Sequence, residues 1–507
     1  MTQKQAISLM LEDDNVFLTG PPGAGKTYVL NKFIKKVSRK GQRVAVTATT
    51  GIAATHLRGV TIHSWSGIGI KDRLDQEDKN KIISSDKFRK RYIATDVLII
   101  DEISMLQSSR LDMVNDLAKS IRKNNKPFGG IKVIIVGDFF QLPPVNKNNQ
   151  PKDFVFYSDT WRELNLKICY LTEQYRQKDN DSLLVFLNAM RNNELQESHF
   201  EIINSRLDLN KQPNQVTKLF SHNIDVDRIN NKFLDLIPKS EHLYSAEVTG
   251  QTHLIEQLSK NILAPFELKL KTGAEVMFVV NNPSEGYSNG SRGRVVKFEN
   301  ELPVVQLLTG TKIKVSSHTW TYTEDDRVLA EVKQLPLRLA WAITIHKSQG
   351  MSLDEAEIDL RSAFTLGMGY VAISRLRSLD GLYLKGYNNV AFGLFEEVRE
   401  LDQSLRFFSD AVIDKTKANS DIIQKLIDNP NIVDSRFYER LFKLRDSIAM
   451  SDESIFVLLP DTIINVLSVV KPINIDSLKM VDGISKKTVK LYGEKIIDVI
   501  WQEFKTI

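Results

Sequence analysis

Cysteine is almost missing from this 507-residue sequence, because Cys169 is the only one. One cysteine excludes any disulfide within the chain and fits a reducing compartment. Long apolar runs are also missing. The longest, VLII at 97–100 and VIIV at 133–136, are strand-length and far short of the roughly 20 residues that a membrane helix needs. The opening MTQKQAISLM has no basic segment followed by an apolar core, so we expect a cytoplasmic protein without a membrane partner.

A strong excess of charge of one sign is missing too. The 68 basic and 63 acidic side chains leave a net charge of +5, which permits nucleic-acid binding without demanding it. The length predicts about three or four domains, and the apolar content is ample for their cores. Composition therefore leaves the function to be read from motifs.

The most specific motif is GPPGAGKT at residues 20–27, which fits the pattern G-x-x-x-x-G-K-T. Its glycines let the backbone aim N–H groups at a polyphosphate, while Lys26 reaches the β- and γ-phosphates and the Thr27 hydroxyl holds Mg²⁺. The apolar run NVFLTG and the helical spacing of KTYVLNKFIKKVSRK supply the strand and helix that this loop needs on either side. A glycine-rich turn without a ligand is the alternative, which this context disfavours. We expect a nucleoside triphosphate site.

Short apolar runs alternate with helical stretches from Asn15 to about Tyr170. This alternation predicts an α/β fold in which helices cover a parallel sheet. The carboxyl ends of parallel strands share one edge, where ligands bind. The predicted strands end at Gly20, Thr49 and Thr50, Asp101 and Glu102, Asp138, and Glu173. Five strand ends should therefore converge on one crevice.

The rest of the chain changes character twice. Runs that start at Lys218 and Leu335 indicate a second α/β block. Between them, residues 246–330 are rich in Gly, Asn and short alternating runs, which predicts a small antiparallel barrel inserted into that block. Residues 401–430 are predicted to be a helical connector, and the segment from 431 to the end is helical by periodicity.

Acidic and amide side chains follow two of the buried strands. Asp101 and Glu102 come directly after one, where a first acid commonly binds the Mg²⁺ shell and a second polarises the attacking water. Asp138 follows the next strand, and three residues later Gln141 offers an amide suited to sensing a γ-phosphate or a water. Solvated caps are the alternative for the acids, and a simple turn is the alternative for the segment around Gln141.

Two arginines are candidates for neutralising charge on a transferred phosphoryl group. Arg176 follows the last strand of the first block, and Arg375 lies on a predicted helix of the second. If the two blocks face each other, both guanidinium groups would reach a nucleotide held by Lys26. Pairing of each arginine with a surface acid is an equally weighted alternative.

A loop dense in hydroxyl groups begins at Thr47. Within it Thr50, His63 and Ser64 are suited to phosphate oxygens, and Trp65 to base stacking. A hydroxyl-rich turn, with Trp65 in the core, is the alternative. The histidines have no metal-ligand spacing with a cysteine, so we discard a zinc site.

The second block carries a matching polar cluster. Thr344, His346 and Lys347 lie on one or adjacent turns of a predicted helix that ends at Gly350, and SHNIDVDRIN offers further polar groups around His222. A helix C-cap at Gly350 is the alternative.

Seven motifs occur in a fixed order: GPPGAGKT, TATTGIAA, DEISM, GDFFQLPPV, EQYR, ITIHKSQG and YVAISRLR. In this order they resemble the motifs of superfamily-one DNA helicases of the RecD-like branch, and most specifically those of the Pif family. The helix and PFGG turn between DEISM and GDFF resemble the family's signature helix. The runs TGAEVMFVVNN and YSNGSRGRVV resemble its inserted SH3-like domain. The resemblance covers roughly residues 1–400.

The resemblance implies an architecture of two RecA-like P-loop domains that bind ATP between them. The implied domains are 1–175 for the first, with a small wedge insertion at about 63–76, then 176–245 with 331–400 for the second, and 246–330 for the SH3-like insertion. A hairpin near Trp65 to Ile70 would act as the wedge that separates strands.

Residue roles follow from the same resemblance, with Gln3, or alternatively Gln5, near the adenine. The implied ATP-binding residues are Gln3, Gly20, Gly23, Gly25, Lys26, Thr27 and Tyr28, with Mg²⁺ at Thr27 and Asp101. The implied catalytic residues are Lys26, Asp101, Glu102, Gln141, Arg176 and Arg375. The implied DNA-binding residues are Thr50, Gly51, His63, Ser64, Trp65, Pro143, His222, Asn223, Thr344, His346 and Lys347.

The C-terminal part has a resemblance of its own. The tail from about Phe437 resembles an HRDC domain, so we expect a linker at 401–430 and an HRDC-like helical domain at 431–507. In VDGISKK, backbone amides and Lys486 or Lys487 are suited to a phosphate. Packing on the motor, or a protein contact, is an equal alternative.

The combined interpretation is a monomeric ATP-dependent helicase that moves 5′-to-3′ on single-stranded DNA and opens forked or tailed duplexes, with roles in DNA repair, recombination and telomere maintenance implied by the family. Two rival interpretations stay open. An RNA-directed motor would use similar contacts, because phosphate and stacking contacts do not distinguish the sugars. An ATP-gated switch would remodel a protein partner with the same cleft.

Overall fold

The computed structural model describes residues 1–506 apart from short gaps. The gaps are residues 58, 70, 72, 145–152, 175–180, 210–215, 260–261, 281, 283, 288–290, 308–309 and 325–326. The described chain divides into two compact units. Unit 1 holds residues 1–199 and 392–507, and unit 2 holds residues 200–391.

A six-stranded parallel sheet forms the centre of unit 1. Its strands are β1 (Val16–Thr19), β2 (Val44–Ala48), β3 (Val60–Thr61), β4 (Val97–Asp101), β5 (Lys132–Val136) and β6 (Lys167–Tyr170). They lie in the order β3-β2-β4-β5-β1-β6, and every neighbouring pair is parallel. The central strands are buried runs of Val, Ile, Leu and Phe, as expected of a sheet covered on both faces. The predicted parallel sheet is confirmed, and the ends of β4, β5 and β1 lie side by side.

Helices of the same unit pack on this sheet through apolar faces. In residues 1–199 they are α1 (Gln3–Met10), α2 (Lys26–Arg39), α3 (Gly51–His56), α4 (Ile62–Ser66), α5 (Gln76–Ser84), α6 (Asp86–Ala94), α7 (Ser108–Arg122), α8 (Asp159–Glu163) and α9 (Ser182–Asn192). In α2 the side chains of Val29, Leu30, Phe33 and Val37 recur at helical spacing and join one core cluster with β1 and β4. The helix that begins at Lys26 is therefore anchored to the sheet.

The PFGG segment at Pro127–Gly130 is a tight turn after α7. Phe128 and Gly129 have left-handed backbone angles, with φ of 51° and 60°. A Cβ atom at Gly129 would lie 2.6 Å from the carbonyl oxygen of Ala118, so glycine alone fits there. The Phe128 N–H donates to Asn115 Oδ1 at 2.7 Å. The turn is thus locked to the helix that precedes it.

The expected wedge hairpin near Trp65 to Ile70 is corrected by the structure. Ile62–Ser66 form the helix α4, because Thr61 caps its first turn and the run that follows has no alternating pattern. Ile70 lies outside the described residues. Among the described residues between positions 62 and 96, helices and turns occur but no strand.

Unit 2 combines a parallel sheet with antiparallel strands. In chain order its elements are α10 (Glu197–Asn204), which crosses the unit boundary, β7 (Thr217–Phe220), α11 (Asn223–Asp235), β8 (His242–Ser245), β9 (Glu247–Gly250), α12 (Thr252–Ser259), β10 (Glu267–Leu270), β11 (Glu275–Phe278), β12 (Arg292–Glu299), β13 (Leu302–Leu307), β14 (Lys312–Lys314), β15 (His318–Glu324), β16 (Arg327–Gln334), β17 (Leu337–Leu339), β18 (Ala342–Thr344), α13 (Ile345–Ser348), β19 (Ala356–Leu360), α14 (Met368–Ile373) and β20 (Leu382–Tyr387). The parallel sheet has the order β18-β7-β19-β20.

The antiparallel strands form three small sheets between β7 and β18. Their orders are β14-β13-β12-β11-β17, β15-β16-β9 and β10-β8. Their strands extend from His242 to Leu339, beyond the expected range of 246–330. The reason is strand pairing, since β8 pairs with β10 and β17 pairs with β11. Trp341 is buried in one core cluster with residues of β10, β11, β12, β13 and β17.

The C-terminal part of unit 1 is helical. Its helices are α15 (Glu396–Ile413), α16 (Lys415–Asp428), α17 (Ser435–Ala449), α18 (Ile455–Leu458), α19 (Asp461–Val470), α20 (Ile475–Met480) and α21 (Lys486–Thr506). The connector therefore starts at Glu396, earlier than the expected residue 401. No described helix is long and apolar enough to cross a membrane.

Residues 431–507, called the C-terminal module here, pack on the first sheet's domain within unit 1. The Asn474 side chain donates to the carbonyl oxygen of Leu166 at 3.2 Å, and the Tyr157 hydroxyl donates to that of Phe504 at 3.1 Å. The rings of Phe156 and Trp501 stack with centroids 6.2 Å apart. The helix α9 also belongs to unit 1, so the boundary between the units lies at residues 199 and 200 and not at the expected 175 and 176.

Trp501→Ala should destabilise unit 1 by about 3–5 kcal/mol, the usual cost of removing a large buried aromatic. Trp501 is buried, packs on Phe156, and donates from Nε1 to the carbonyl oxygen of Ile473 at 3.0 Å. Urea denaturation followed by far-ultraviolet circular dichroism would measure the loss. Met450→Ala is the control, since that side chain is 92% exposed. Equal midpoints for the two variants would contradict the docked arrangement.

Candidate functional site

The loop at residues 20–27 joins β1 to α2 at the carboxyl-end edge of the first sheet. Gly20 has φ of 140°, and a Cβ atom there would lie 2.6 Å from the carbonyl oxygen of Leu171. Gly23 and Gly25 also have positive φ, and Gly25 is the N-cap of α2. These backbone angles give the loop the curvature with which N–H groups surround a phosphate.

Lys26 lies among the carboxylates of the neighbouring strand ends. Its ammonium group donates to the carbonyl oxygen of Gly20 at 2.6 Å. Burial lowers the pKa of Lys26, and the negative charges of Asp138, Glu102 and Asp101 oppose that shift. Because Asp138 follows β5 and the other two acids lie at the end of β4, three of the five predicted strand ends contribute to one charged site.

The carboxylates of Asp101 and Glu102, at the end of β4, are close together and half-buried. Burial, followed by the neighbouring charge of Glu102, raises the pKa of Asp101 to about 7. Glu102 has a left-handed backbone, with φ of 53° and ψ of 44°, which is uncommon outside glycine and concentrates at functional sites. The Thr49 hydroxyl donates to the carbonyl oxygen of Glu102 at 2.8 Å and holds this backbone in place. A nearby cation would stabilise the ionised pair.

The fit to a divalent cation follows from the types of ligand present. Within the part of the chain that the structure describes, no group of three or more His, Cys, Asp or Glu forms a metal site. One hydroxyl, from Thr27, and one carboxylate, from Asp101, match an ion that takes its remaining ligands from phosphates and water. Mg²⁺ is such an ion.

Two of the three residues expected near the transferred phosphate are described. Gln141 is buried in the turn after β5, close to Asp138. Arg375 is buried two residues beyond the end of α14, not on the helix as expected, and its Nε donates to the carbonyl oxygen of Val371 at 3.0 Å. Arg176 lies outside the described residues.

The side chains of Gln3 and Gln5, the two candidates for a position near the adenine, make different contacts. The Gln3 side chain donates to the carbonyl oxygen of Ala24 at 3.2 Å. Gln5 instead closes the capping box at the start of α1. Thr27 and Tyr28 are exposed in the first turn of α2. The structure therefore places Gln3, and not Gln5, against the glycine-rich loop.

The nucleic-acid candidates of unit 1 lie after β2 and β3. Thr50 and Gly51 follow β2, and Ser64 is exposed on α4. The His63 Nε2 and Arg110 Nη1 atoms are 2.7 Å apart. Burial, followed by the charge of Arg110, lowers the pKa of His63 to about 4. His63 is therefore neutral at physiological pH, and the cation at this position is Arg110, which sequence reading missed because it lies 47 residues away.

Burial contradicts the expected DNA contact of two of these candidates. Trp65 is 3% exposed and its ring lies 4.6 Å from that of Tyr92, so it is a core residue and not a stacking surface. Pro143 is also buried. The helix α4 turns Trp65 inward because its neighbours on the outer side are polar. The expected base stacking at Trp65 is wrong, and the expected DNA contact of Pro143 has no exposed surface.

The candidates of unit 2 meet at the carboxyl-end edge of the second sheet. His222 follows β7, while His346 and Lys347 belong to α13, directly after β18. Thr344 is the N-cap of α13, and its hydroxyl accepts a hydrogen bond from the Lys347 N–H at 3.4 Å. The helix has four residues and ends at Ser348, short of the expected end at Gly350.

Phe364 is the residue that sequence reading missed at this edge. Its side chain is 55% exposed, and its ring stacks on His222 at 4.8 Å and on His346 at 6.0 Å, with interplanar angles of 30° and 11°. The same strand-end rule could have found it, because it follows β19, the neighbour of β7. Three rings from three strand ends form an exposed aromatic surface. Asn223 is the first residue of α11, beside His222.

Comparison with known proteins places this geometry in a family. Residues 3–198 match the model for PIF1-like helicases, residues 253–298 that for the 2B domain of the DNA helicase Pif1, and residues 434–500 that for the HRDC domain. An ATP-dependent DNA helicase Pif1 from Psychrobacter is 39% identical, over 84% of this chain and 73% of the relative.

Solved structures agree with these matches. A Pif1 helicase from Candida albicans is 32% identical, with a TM-score of 0.74, over 80% of this chain and 98% of that one. A Pif1 helicase from Bacteroides, in complex with ADP-AlF3 and ssDNA, is 30% identical, with a TM-score of 0.65, over 80% of this chain and 96% of that one. The similarity therefore extends well beyond the phosphate loop.

The imidazole of His63 should titrate near pH 4, and Arg110→Met should raise its pKa. Removing the positive charge favours the protonated ring, but burial remains, so the new pKa should stay below the usual value of about 6.5. NMR of isotope-labelled histidine would measure both. Arg110→Lys is the matched control, since it keeps the charge. An Arg110→Met variant with an unchanged His63 pKa would show that burial alone sets it.

Proposed function

The chain belongs to the PIF1-like helicase family and is an ATP-dependent DNA helicase, and we propose that its two parallel sheets divide this work between nucleotide and DNA. The observation that carries the proposal is the charged site around Lys26, where three adjacent strand ends of unit 1 converge. Such a site binds a polyphosphate and can couple its hydrolysis to movement.

ATP and Mg²⁺ are assigned to residues of unit 1. The glycine-rich loop and Lys26 would bind the phosphates, and Gln3 would face the adenine. Thr27 and Asp101 would hold Mg²⁺, which supplies electrostatic stabilisation of phosphoryl transfer when bound. Glu102 would orient the attacking water, because its strained backbone is held in place by Thr49.

Three further side chains are assigned to the transferred phosphoryl group. Gln141 would sense it, and Arg375 and Arg176 would neutralise its developing charge, as arginine fingers do in related enzymes. We place Arg375 in this role for the ATP-bound state, in which the two units would close. Closure would then be the event that switches on hydrolysis.

Single-stranded DNA is assigned to polar loops on both units. In unit 1 Thr50 and Ser64 would hydrogen-bond phosphates, with Arg110 supplying the charge beside His63. In unit 2 Lys347 would pair with a phosphate, and the exposed ring of Phe364 would stack on a base. Trp65 has no part in the DNA contact.

Movement along the strand would require the DNA contacts of unit 1 and of unit 2 to loosen at different stages of the ATP cycle. ATP binding would close the units while the DNA contacts of one unit slide along the strand. Hydrolysis would reopen the units while the DNA contacts of the other unit slide. We assign 5′-to-3′ polarity and a working monomer on forked or tailed duplexes to this chain.

The decisive experiment is unwinding of a short labelled duplex that carries either a 5′ or a 3′ single-stranded tail. With Mg·ATP the 5′-tailed duplex alone should separate, because a 5′-to-3′ motor that loads on a 5′ tail moves toward the duplex, whereas on a 3′ tail it moves away from it. A non-hydrolysable analogue should give no separation. Strand separation measured by fluorescence at several protein concentrations would also show whether one copy suffices.

Other outcomes would favour the rival functions. Separation of the 3′-tailed duplex would overturn the polarity. ATPase stimulated by RNA oligomers more than by DNA oligomers would indicate an RNA-directed motor, since only a 2′-hydroxyl contact distinguishes them. Absence of stimulation by either, with ATP still bound, would indicate a switch that acts on a protein.

Affinity for single-stranded DNA should fall as pH rises from about 7 to about 9. Burial, followed by the charge of Arg338, lowers the pKa of Lys347 to about 8, against the opposing charge of Asp227. A phosphate binds the ammonium form, so binding takes up a proton and weakens once the free lysine is neutral. Fluorescence anisotropy at constant ionic strength would measure this, because phosphate contacts also depend on salt.

Lys347→Arg is the matched variant for this experiment. A guanidinium group keeps its charge across the whole range, so the fall with pH should disappear while binding at neutral pH persists. An identical pH dependence in the parent and in Lys347→Arg would remove Lys347 from the phosphate contact.

A further inference from the structure

A buried cluster of alternating charges lies behind the nucleotide site in unit 1. The Arg191 Nη1 donates to both carboxylate oxygens of Asp138, each at 3.0 Å. Its Nη2 donates to Asp402 at 3.0 Å and to the Tyr170 hydroxyl at 2.8 Å. Arg406 donates from Nε to the other oxygen of Asp402 at 2.7 Å. The row therefore reads acid, base, acid, base, and its formal charges cancel.

This cluster is costly to bury. The side chains of Arg191 and Asp138 are 2% and 1% exposed. Taking two ions out of water usually costs several kcal/mol per ion, and apolar residues of similar size often do as well for stability. Stability alone is therefore a weak reason for the cluster, and its position beside the nucleotide site suggests another.

Arg191 contacts both arms of the turn that presents Gln141. The Gln141 N–H donates to the carbonyl oxygen of Asp138 at 3.0 Å, and the Phe140 N–H donates to Asp138 Oδ1 at 3.2 Å. The Arg191 guanidinium lies 4.2 Å from the centre of the Phe140 ring. One side chain thus holds the carboxylate that starts the turn and the ring that precedes Gln141.

Asp138 also lies between two cations. Among the charges that act on Lys26, that of Asp138 is the strongest that favours the ammonium form, whereas Arg191 opposes it. The single Nη1 atom of Arg191 donates to both oxygens of Asp138 and so restrains the orientation of that carboxylate. A change of charge at Lys26, such as the arrival of a phosphate, therefore acts on a group that cannot reorient freely.

Asp402 provides the fixed end of this arrangement. It lies on α15, whose Ser409 hydroxyl accepts the Tyr170 N–H at 3.0 Å at the end of β6. The contact spans 211 residues of sequence between Arg191 and Asp402. The turn after β5 is thus braced against a helix from the C-terminal part of unit 1.

We propose that Arg191 is a positioning residue for ATP hydrolysis, which holds the Asp138–Gln141 turn in the geometry that lets Gln141 meet the transferred phosphoryl group. The proposal rests on the proposed function, in which Gln141 has that role. Arg191 would act through Asp138 and Phe140 and not through a contact of its own with ATP. Asp402 supports it from α15, so the C-terminal part of unit 1 contributes to the rate of hydrolysis.

The test uses Arg191→Lys in the full chain. Lysine keeps the charge but loses the planar fork that holds two carboxylates at once. With saturating single-stranded DNA, kcat for ATP should fall about 10- to 100-fold, as expected for a small misplacement near the reacting group. KM for ATP should change little. Affinity for Mg·ADP should be kept, while affinity for Mg·ADP with aluminium fluoride, a mimic of the transition state, should fall in parallel with kcat.

Two other variants separate positioning from simple destabilisation. Arg445→Lys changes another buried arginine, which bonds Leu459 and Asp461 in the C-terminal module. It should lower the melting temperature but leave kcat and the aluminium fluoride complex unchanged. Asp402→Asn keeps the volume at the far end of the cluster and should show the same split as Arg191→Lys, with a smaller fall. If Arg191→Lys does not fold, the same measurements on Asp402→Asn test the proposal.

An Arg191→Lys variant with parental kcat, or with equal losses of affinity for Mg·ADP and for its aluminium fluoride complex, would overturn the positioning role. The same kinetic split in Arg445→Lys would also overturn it, because the split would then reflect lower stability. If the parent protein shows no DNA-stimulated ATPase at all, the proposed function fails, and the positioning role of Arg191 is overturned with it.

Discussion

Carboxylates that end buried strands must meet a cation, and this constraint organises unit 1. Asp101 and Glu102 end β4, and Asp138 follows β5, between the cations Lys26 and Arg191. In a low-dielectric site each of these ions needs a partner of opposite sign. These charges meet where β4, β5, the glycine-rich loop and α9 come together, whatever the spacing of those elements in the sequence.

The same requirement reaches the C-terminal module through α15. Asp402 on this helix holds Arg191, while Glu400, two residues earlier, pairs with Lys471 of the module and bonds Arg436 at 3.1 Å. Residues two apart on a helix point in different directions, so α15 contacts Arg191 on one side and the C-terminal module on another. The contacts described within unit 1 pack the module on the domain of the first sheet. They make the module part of the body that carries the nucleotide site.

Unit 2 uses its sheet differently. The carboxyl ends of β7, β18 and β19 carry rings and one lysine, in the form of His222, His346, Phe364 and Lys347. Exposed stacked rings favour the faces of bases, whereas the charged edge of unit 1 favours phosphates and a metal ion. The two parallel sheets thus carry different side chains at their carboxyl-end edges. Unit 1 presents charged groups and unit 2 presents aromatic rings, because the residues after each strand differ.

Local patterns in the sequence determined the parallel sheet, the phosphate loop and the acids after β4, because strand runs, glycines and carboxylates at strand ends are encoded within a few residues. They also determined the family, through seven short motifs. Tertiary structure alone decided that Trp65 is buried against Tyr92, that Arg110 lies beside the half-buried His63, that Phe364 joins two histidines, and that Arg191 meets Asp402. Each of those pairs is distant in the chain, so its energy comes from packing and desolvation, which no local pattern records.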